Sequence, residues 1–378
     1  MRNVVIFASK VKSVVPNHSL IETVDIKGVS VNCGLLNTFE PDFDPKASEN
    51  RLRVLVQIRA FSCNYRDLSL IFAAIRRGPD NSFFAAGSDF AGEVLDVGAD
   101  VTSLKPGDRV IANNSYTMSV TGDVQDGVLT NRASKEYQIF PEEKLIKIPE
   151  CMTDEVAAGF SIGAQTAYSM IRKLALAAGA KVLVMSARSN TSLFAINALR
   201  KHRVNVYACT TSMNIERALR DLGVKEVLEL DADLKDRDRA RLLKDWATSL
   251  QGFDYVIDPF FDLHLERVID CLAPGGKYIT CGLHHQYQPL LGIKSTGESA
   301  DMRRLLLPLL VKNLQILGNC LGLTQDLEQA LADYDSSQLR VVIDSAFARG
   351  RVAGFFDKTF NARDRFGKVI YSYHSAAA

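Results

Sequence analysis

Several absences narrow this sequence before any motif is read. Its seven cysteines, Cys33, Cys63, Cys151, Cys209, Cys271, Cys281 and Cys320, never form a Cys-x-x-Cys pair, and none falls between residues 111 and 140. Scattered and odd in number, they indicate neither a disulfide framework nor a zinc ribbon. Most are expected to be small buried hydrophobes. Charge of one sign is not in excess: 45 Lys and Arg face 44 Asp and Glu, a formal net charge of +1. That excludes a dedicated nucleic-acid surface. No apolar run approaches the roughly 20 residues of a membrane span, and residues 1–10 hold too short an apolar core for a secretory signal. The expectation is a cytoplasmic protein with neither a membrane nor a nucleic-acid partner. There is no internal repeat, and no low-complexity stretch beyond the terminal alanines 376–378.

What is present is a chain of 378 residues, 47% apolar and 24% charged, comfortable for two domains. The first part reads as β-rich. Arg53-Val-Leu-Val-Gln-Ile-Arg59 and Gly92-Glu-Val-Leu-Asp-Val97 alternate or run apolar between Gly- and Pro-containing turns. Residues 154–176 read as helix. After them, short apolar strands at 181–185, 205–209, 226–230, 253–257, 277–281 and 314–317 alternate with amphipathic helices. That rhythm predicts an α/β, doubly wound parallel sheet with a ligand crevice at the carboxyl ends of its strands. Beyond about Gly322 the rhythm stops, and residues 340–343 and 367–371 read as strands returning to the first domain.

The first strand of this sheet, Val182 to Met185, leads through Ser186-Ala-Arg-Ser-Asn-Thr-Ser192 into a helix. In a dinucleotide-binding fold this turn carries glycines, so that backbone can approach the pyrophosphate. Here there is none.

Motifs along the chain carry a family resemblance. They are Asn64-Tyr-Arg-Asp67, Gly87-Ser-Asp-Phe-Ala-Gly-Glu-Val-Leu-Asp-Val-Gly98, Lys105-Pro-Gly-Asp-Arg-Val110 and Ala164-Gln-Thr-Ala-Tyr168. Phe253-Asp-Tyr-Val-Ile-Asp258, Leu272-Ala-Pro-Gly-Gly276, Lys312-Asn313 with Gly318, and Gly367-Lys-Val369 follow in order. Together they resemble the medium-chain dehydrogenase/reductase superfamily, in particular its zinc-independent, quinone-oxidoreductase-like and enoyl-reductase-like members. The resemblance spans residues 50 to 372. It implies a GroES-like, β-rich catalytic domain (residues 1–155 and 323–378), a Rossmann domain (156–322) and, frequently, a homodimer built through the Rossmann domains.

Zinc-dependent relatives place Cys where this chain has Asn64 and His where it has Ser88, and carry a four-cysteine lobe that is missing here. A catalytic zinc needs about three protein ligands, and Asp89 alone remains, so no metal is expected. Against the family turn, Ser186, Ser189, Asn190 and Ser192 stand at glycine positions. Their hydroxyl and amide groups, with Arg188, Thr191 and the helix N-terminus, are the candidate phosphate contacts. Ser192 or Thr191 could equally be the helix N-cap. No carboxylate follows Cys209 to accept ribose hydroxyls; Thr211 and Ser212 stand there instead, which favours NADPH. By resemblance, Thr166, Cys281, Gly282, Asn319 and Asn64 are further cofactor-side positions, while Pro259-Phe-Phe261 replaces a small turn and would wall off part of the crevice.

Tyr65 is the candidate proton donor, with a packing role as its alternative. Arg66 is either a carboxylate clamp or, more simply, the ion-pair partner of Asp67. His284, in His284-His285 at a strand end, is a candidate acid/base. Residues 286–303 resemble an insertion able to form a lid, and the long N-terminal lead-in could cover the cleft. The expected activity is NADPH-dependent reduction of an activated C=C, quinone or related carbonyl in a small-molecule substrate. The alternative is non-redox chemistry (cyclisation, elimination or group transfer) with weak or no dinucleotide binding.

Overall fold

The computed structural model describes residues 1–8, 18–78, 82–115, 130–230, 237–293, 302–348 and 350–374. The chain opens with β1 (Arg2–Phe7), β2 (His18–Ile26), β3 (Val29–Asn37), β4 (Arg53–Ser62), α1 (Asp67–Arg77), β5 (Phe83–Ala85), β6 (Asp89–Val97), β7 (Arg109–Ala112), β8 (Tyr137–Pro141) and β9 (Leu145–Lys147). Next come α2 (Asp154–Ala157), α3 (Ser161–Leu174), β10 (Lys181–Val184), α4 (Asn190–Leu199), β11 (Asn205–Thr210), α5 (Glu216–Asp221) and β12 (Val224–Glu229). These lead into α6 (Arg237–Ser249), β13 (Phe253–Asp258), α7 (Phe261–Val268), β14 (Leu272–Thr280), α8 (Met302–Val311) and β15 (Gln315–Gly318). The chain closes with α9 (Thr324–Asp335), β16 (Ile343–Phe347), α10 (Val352–Phe360) and β17 (Lys368–Ser372).

The six strands from β10 to β15 form one sheet in the order β12-β11-β10-β13-β14-β15, every pair parallel. This is the doubly wound order, and the topological switch between β10 and β13 opens a crevice at their carboxyl ends. Val182, Val184, Ala208 and Ile257 are fully or almost fully buried, because a parallel sheet is covered on both faces. The helix expected over 154–176 is broken at Ala158–Phe160. Gly159 packs against Lys368 there, so closely that an added Cβ would lie 3.0 Å from Lys368 Cγ.

A seven-stranded sheet, β16-β17-β4-β6-β7-β9 with β8 on β4, joins the N-terminal third of the chain to its end. The strand expected over 340–343 lies further on, at Ile343–Phe347. The lead-in adds β1, β2 and β3 to a smaller sheet, ordered β2-β3-β1-β5. Helix α9 packs on α3, where the Tyr168 hydroxyl donates to Asp333 Oδ2 at 2.6 Å. Among the described residues no helix is long and apolar enough to cross a membrane.

Candidate active site

Between the two larger sheets runs a cleft of about 400 Å³, lined from the β4–α1 connection by Cys63, Asn64, Tyr65 and Arg66 and from the start of α4 by Ser189, Asn190 and Thr191. One corner is a closed polar cluster. Asn64 Nδ2 donates to Asp89 Oδ2 (2.7 Å) and Ser88 Oγ (3.3 Å), and Asn64 Oδ1 accepts from Lys368 Nζ (2.6 Å). Lys368 Nζ also lies 3.1 Å from Asp89 Oδ2, with side-chain exposures of 3% and 0%. Ser161 Oγ and the Ile162 N–H donate to Asp89 Oδ1. Burial by itself would raise the Asp89 carboxyl. The Lys368 ammonium, with the Asn64, Ile162 and Ser161 donors, overrides burial and holds it below its ordinary value.

This is the corner where zinc-dependent relatives would ligate their metal, and its residues do not fit a zinc ion. They offer an amide, a hydroxyl and a carboxylate already paired with an ammonium that bridges Asn64 and Asp89. Zinc favours thiolate, imidazole or free carboxylate. Among the described residues no group of three His, Cys, Asp or Glu is arranged to hold a metal.

Next to this corner, Tyr65 Oη lies 3.0 Å from His284 Nε2. The two rings stack at 4.8 Å, with Phe260 edge-on to both. Burial, then the nearby Tyr287 hydroxyl, pushes the Tyr65 pKa up. Burial, then neighbouring His285, pushes His284 down to about 4. The loop is pinned by Asp262 at the start of α7, whose carboxylate accepts the N–H groups of His284 (2.7 Å) and His285 (2.9 Å). His284 Nδ1 is buried without a partner.

The turn into α4 keeps the glycine-type backbone without glycine. Ser186 has φ +50°, the left-handed region that glycine adopts freely. Ser189 is the N-cap, its Oγ accepting from the Ser192 N–H at 3.2 Å. Ser192 is buried, and its hydroxyl donates to the Met185 carbonyl at 2.7 Å, filling the space a glycine would leave between helix and strand. Asn190 turns its amide onto the Gly159 carbonyl. Asn190 and Thr191 line the cleft at the first helical turn, where backbone N–H groups lack intrahelical acceptors. These residues fit a phosphate-bearing cofactor. A second, smaller cavity of about 190 Å³ sits at the ends of β10, β11 and β12, lined by Ser186, Cys209, Thr210, Thr211, Leu230 and His264 among others. Phe260 and His284 line both cavities and stand between them.

Residues 50–150 match the alcohol dehydrogenase GroES-like domain family, and residues 222–370 match the zinc-binding dehydrogenase family. The chain belongs to the medium-chain dehydrogenase/reductase superfamily. A crystallised NAD-dependent alcohol dehydrogenase superposes with a TM-score of 0.73 at 22% identity, covering 99% of this chain and 100% of that one. CurK enoyl reductase gives 0.67 at 18% identity, covering 94% and 99%. Among curated proteins, squalestatin hexaketide synthase of Phoma sp. is 27% identical over 255 residues. That match takes in 66% of this chain but only 9% of the synthase's length. A zinc-type alcohol dehydrogenase-like protein of Schizosaccharomyces pombe is 24% identical, covering 84% of this chain and 90% of its own length.

The sequence-predicted residues divide unevenly over this superfamily scaffold. Asn64, Tyr65, Arg66, Thr166, Ser189, Asn190, Thr191, Cys281, Gly282 and His284 share the larger cleft, whereas Ser186 and Thr211 face the smaller cavity. Four lie off both walls, Ser192 among them, buried against the Met185 carbonyl. Arg188 donates from Nε to the Arg365 carbonyl and from Nη1 to Asn214 Oδ1. Ser212 caps a short 3-10 turn through the Asn214 N–H. Asn319 is held internally, its Oδ1 accepting from Ser169 Oγ and its Nδ2 donating to the Leu321 carbonyl. The expected Arg66–Asp67 ion pair is not formed: Arg66 Nε and Nη2 and Asp67 Oδ1 are all buried without partners.

Sequence reasoning missed Lys27, Arg363, Arg365 and Lys368, which also line the cleft. Lys368 sat inside a quoted motif, Gly367-Lys-Val369; the others carry no local signal. Of the 286–303 segment, residues 294–301 lie outside the described residues. Its first part is docked on α1 through Arg76 Nη1 and the Leu290 carbonyl. From the lead-in, the β2–β3 turn reaches the cleft through Lys27, while Phe39 stands 97% exposed.

Proposed function

We propose that this protein is a zinc-independent, NADPH-preferring oxidoreductase that reduces a polarised C=C bond, or a related quinone or carbonyl, by hydride transfer. The observation that carries the reading is the Tyr65–His284 contact on the wall of a cleft whose metal corner is taken by Lys368. Ser189, Asn190, Thr191 and Thr166 would hold the cofactor along the larger cleft, with Ser186 and Thr211 on its adenosine side. When bound, the nicotinamide supplies the hydride.

Tyr65 holds the proton. Its raised pKa keeps the hydroxyl protonated at neutral pH, so it donates only to a strongly basic centre such as the carbanion or enolate left by hydride addition. His284 stays neutral and carries one proton. On Nε2 that proton donates to Tyr65 Oη, leaves the phenolic O–H to exchange the Tyr287 hydroxyl for a substrate atom in the cleft, and stabilises the phenolate as it forms. It also leaves Nδ1 as an unpaired acceptor rather than an unpaired donor. The names of enoyl-reductase and crotonyl-CoA carboxylase/reductase neighbours favour an enoyl thioester as the substrate class.

We extend the reading to architecture. A division into residues 1–155 with 323–378 and residues 156–322 is supported by the membership of the two large sheets, with α9 packed on α3. A homodimer through β15 is supported by its position at the sheet edge and by the exposed Leu307, Leu310 and Val311 of α8 (64%, 73% and 73%). A cytoplasmic setting accords with seven unpaired cysteines.

One observation favours non-redox chemistry instead: Phe260 and His284 stand between the two cavities that a dinucleotide would have to join. A titration with NADPH and NADH, followed by NADPH oxidation against enoyl thioesters, decides. Tighter NADPH binding and oxidation matched to product formation support the reductase. No binding of either nucleotide removes it.

A further inference from the structure

Among the described residues, five cations line the larger cleft, Lys27, Arg66, Arg363, Arg365 and Lys368, and no carboxylate does. Lys368 is paired with Asp89. Among the described residues, none of the other four forms an ion pair. Three of them are gathered at one edge of the cleft by a contact between the two ends of the chain. The Lys27 N–H donates to Asn361 Oδ1 at 3.3 Å, and Asn361 Nδ2 returns to the Asp25 carbonyl at 2.6 Å. This fastens the β2–β3 turn to the end of α10. Arg365 is held from the same side by its Nη1 bond to the Thr359 carbonyl, at 3.0 Å. Carboxylates around this edge are engaged otherwise: Asp25 accepts the Gly28 N–H, Asp357 accepts from Asn361 Nδ2, Asp344 and Asp364 both face Lys358, and Asp344 also accepts the Phe366 N–H.

The position of Lys27 is itself informative. Lys27 and Gly28 have φ +53° and +81°, the two left-handed positions of a tight hairpin turn. Asn, Asp and Gly dominate such sites, and a lysine backbone there is strained by roughly 1–2 kcal/mol. A strained position that carries a charge toward two arginines needs a reason beyond the turn. Loss of water, then the proximity of Arg365 and Arg363, lowers the Lys27 ammonium from its ordinary value, so the three charges repel one another in the absence of an anion.

We propose that Lys27, Arg363 and Arg365 form a phosphate-recognition site at the edge of the cleft, reading a phosphate ester on one of the molecules that enters it. Two sources share this chemistry: the phosphorylated handle of a thioester substrate and the phosphates of the dinucleotide. The substrate arm rests on the reductase reading; the site does not.

The test uses the full chain and the double variant Lys27→Asn/Arg363→Gln. Asn suits a left-handed turn, the bond to Asn361 uses backbone, and Arg363 is exposed, so the fold is retained. Calorimetry measures binding of inorganic pyrophosphate, NADPH, and a crotonyl thioester of phosphopantetheine beside the same thioester of pantetheine. We expect pyrophosphate binding to weaken about tenfold or more in the variant, and to fall with added salt in the wild type. An equal loss for phosphopantetheine, with pantetheine unaffected, assigns the site to the substrate; a loss for NADPH assigns it to the cofactor. If the wild type binds no pyrophosphate, or the variant binds all the phosphorylated probes as tightly as the wild type, the site is refuted. Pyrophosphate binding without NADPH oxidation would leave the site standing and remove the reductase.

Discussion

Replacing Lys368 by Met tests the cluster that stands in the metal corner. Lys368 and Asp89 form a desolvated pair, and removing one partner of such a pair costs about 3–5 kcal/mol because the other charge is left buried. Asp89 would keep the Asn64, Ser161 and Ile162 donors, which places the expected loss near the low end, about 3 kcal/mol. With an unfolding entropy of roughly 2.1 cal/mol/K per residue, a chain of this length melting as one unit would lose about 4 °C in Tm, and more if one domain melts alone.

The pH dependence has a definite sign. In the wild type the Asp89 pKa is depressed, so its contribution is present above the unfolded value of about 3.9 and is lost as pH falls through the folded one. In Lys368→Met, burial is unopposed by the ammonium and the carboxyl pKa rises. That variant is destabilised most at neutral pH and recovers as acid protonates Asp89. The assay is thermal unfolding of both proteins from pH 7.5 to pH 5, with Lys368→Met/Asp89→Asn beside them. The Tm gap should narrow on acidification, and the double variant should recover part of it at neutral pH. A gap below about 1 °C at neutral pH, or one that widens with acid, would refute the buried-pair argument.

Tyr65→Phe should lower kcat for enoyl reduction by about 10²–10³-fold and leave the NADPH Kd within twofold; an unchanged kcat would remove Tyr65 as proton donor. Since His284 is lowered to about 4 and Tyr65 is raised, neither ionises between pH 5.5 and 9, so kcat should be flat across that range. The depressed His284 pKa also costs stability as pH falls from the unfolded value of about 6.5 toward 4, and His284→Asn should lessen that acid loss in thermal melts. Ser186→Gly relieves a left-handed serine and should raise stability by up to about 1 kcal/mol in denaturant titration; a clear loss would mean that the Ser186 side chain holds the turn. If the proposed homodimer forms, sedimentation should show the wild type as a dimer and Leu307→Asp/Leu310→Asp as a monomer; an unaltered dimer would place the interface away from α8, and a monomeric wild type would remove the dimer.

The sequence by itself determined the architecture. Six apolar segments separated by helical periodicity can bury their faces only as a parallel sheet with helices on both sides, and the observed strands lie within a few residues of that expectation, β14 starting earliest relative to it. The glycine-free turn was legible as well, because strand, polar turn and helix are contiguous. What Ser186 and Ser192 do in place of glycine was not legible, since φ +50° and a hydroxyl bond to Met185 are properties of packing. The site itself required the tertiary structure. Tyr65 and His284 are 219 residues apart, Asn64 and Lys368 are 304 apart, and Lys27 meets Asn361 across 334. No periodicity or spacing rule reaches over such separations; only the return of β16 and β17 to β4, and the closure of the two sheets around one cleft, brings these side chains together. The Arg66–Asp67 pair failed for the converse reason. Adjacent residues look matched in one dimension, but at the start of α1 Asp67 turns back to the Asn64 N–H and to Ser88, and Arg66 lines the cleft.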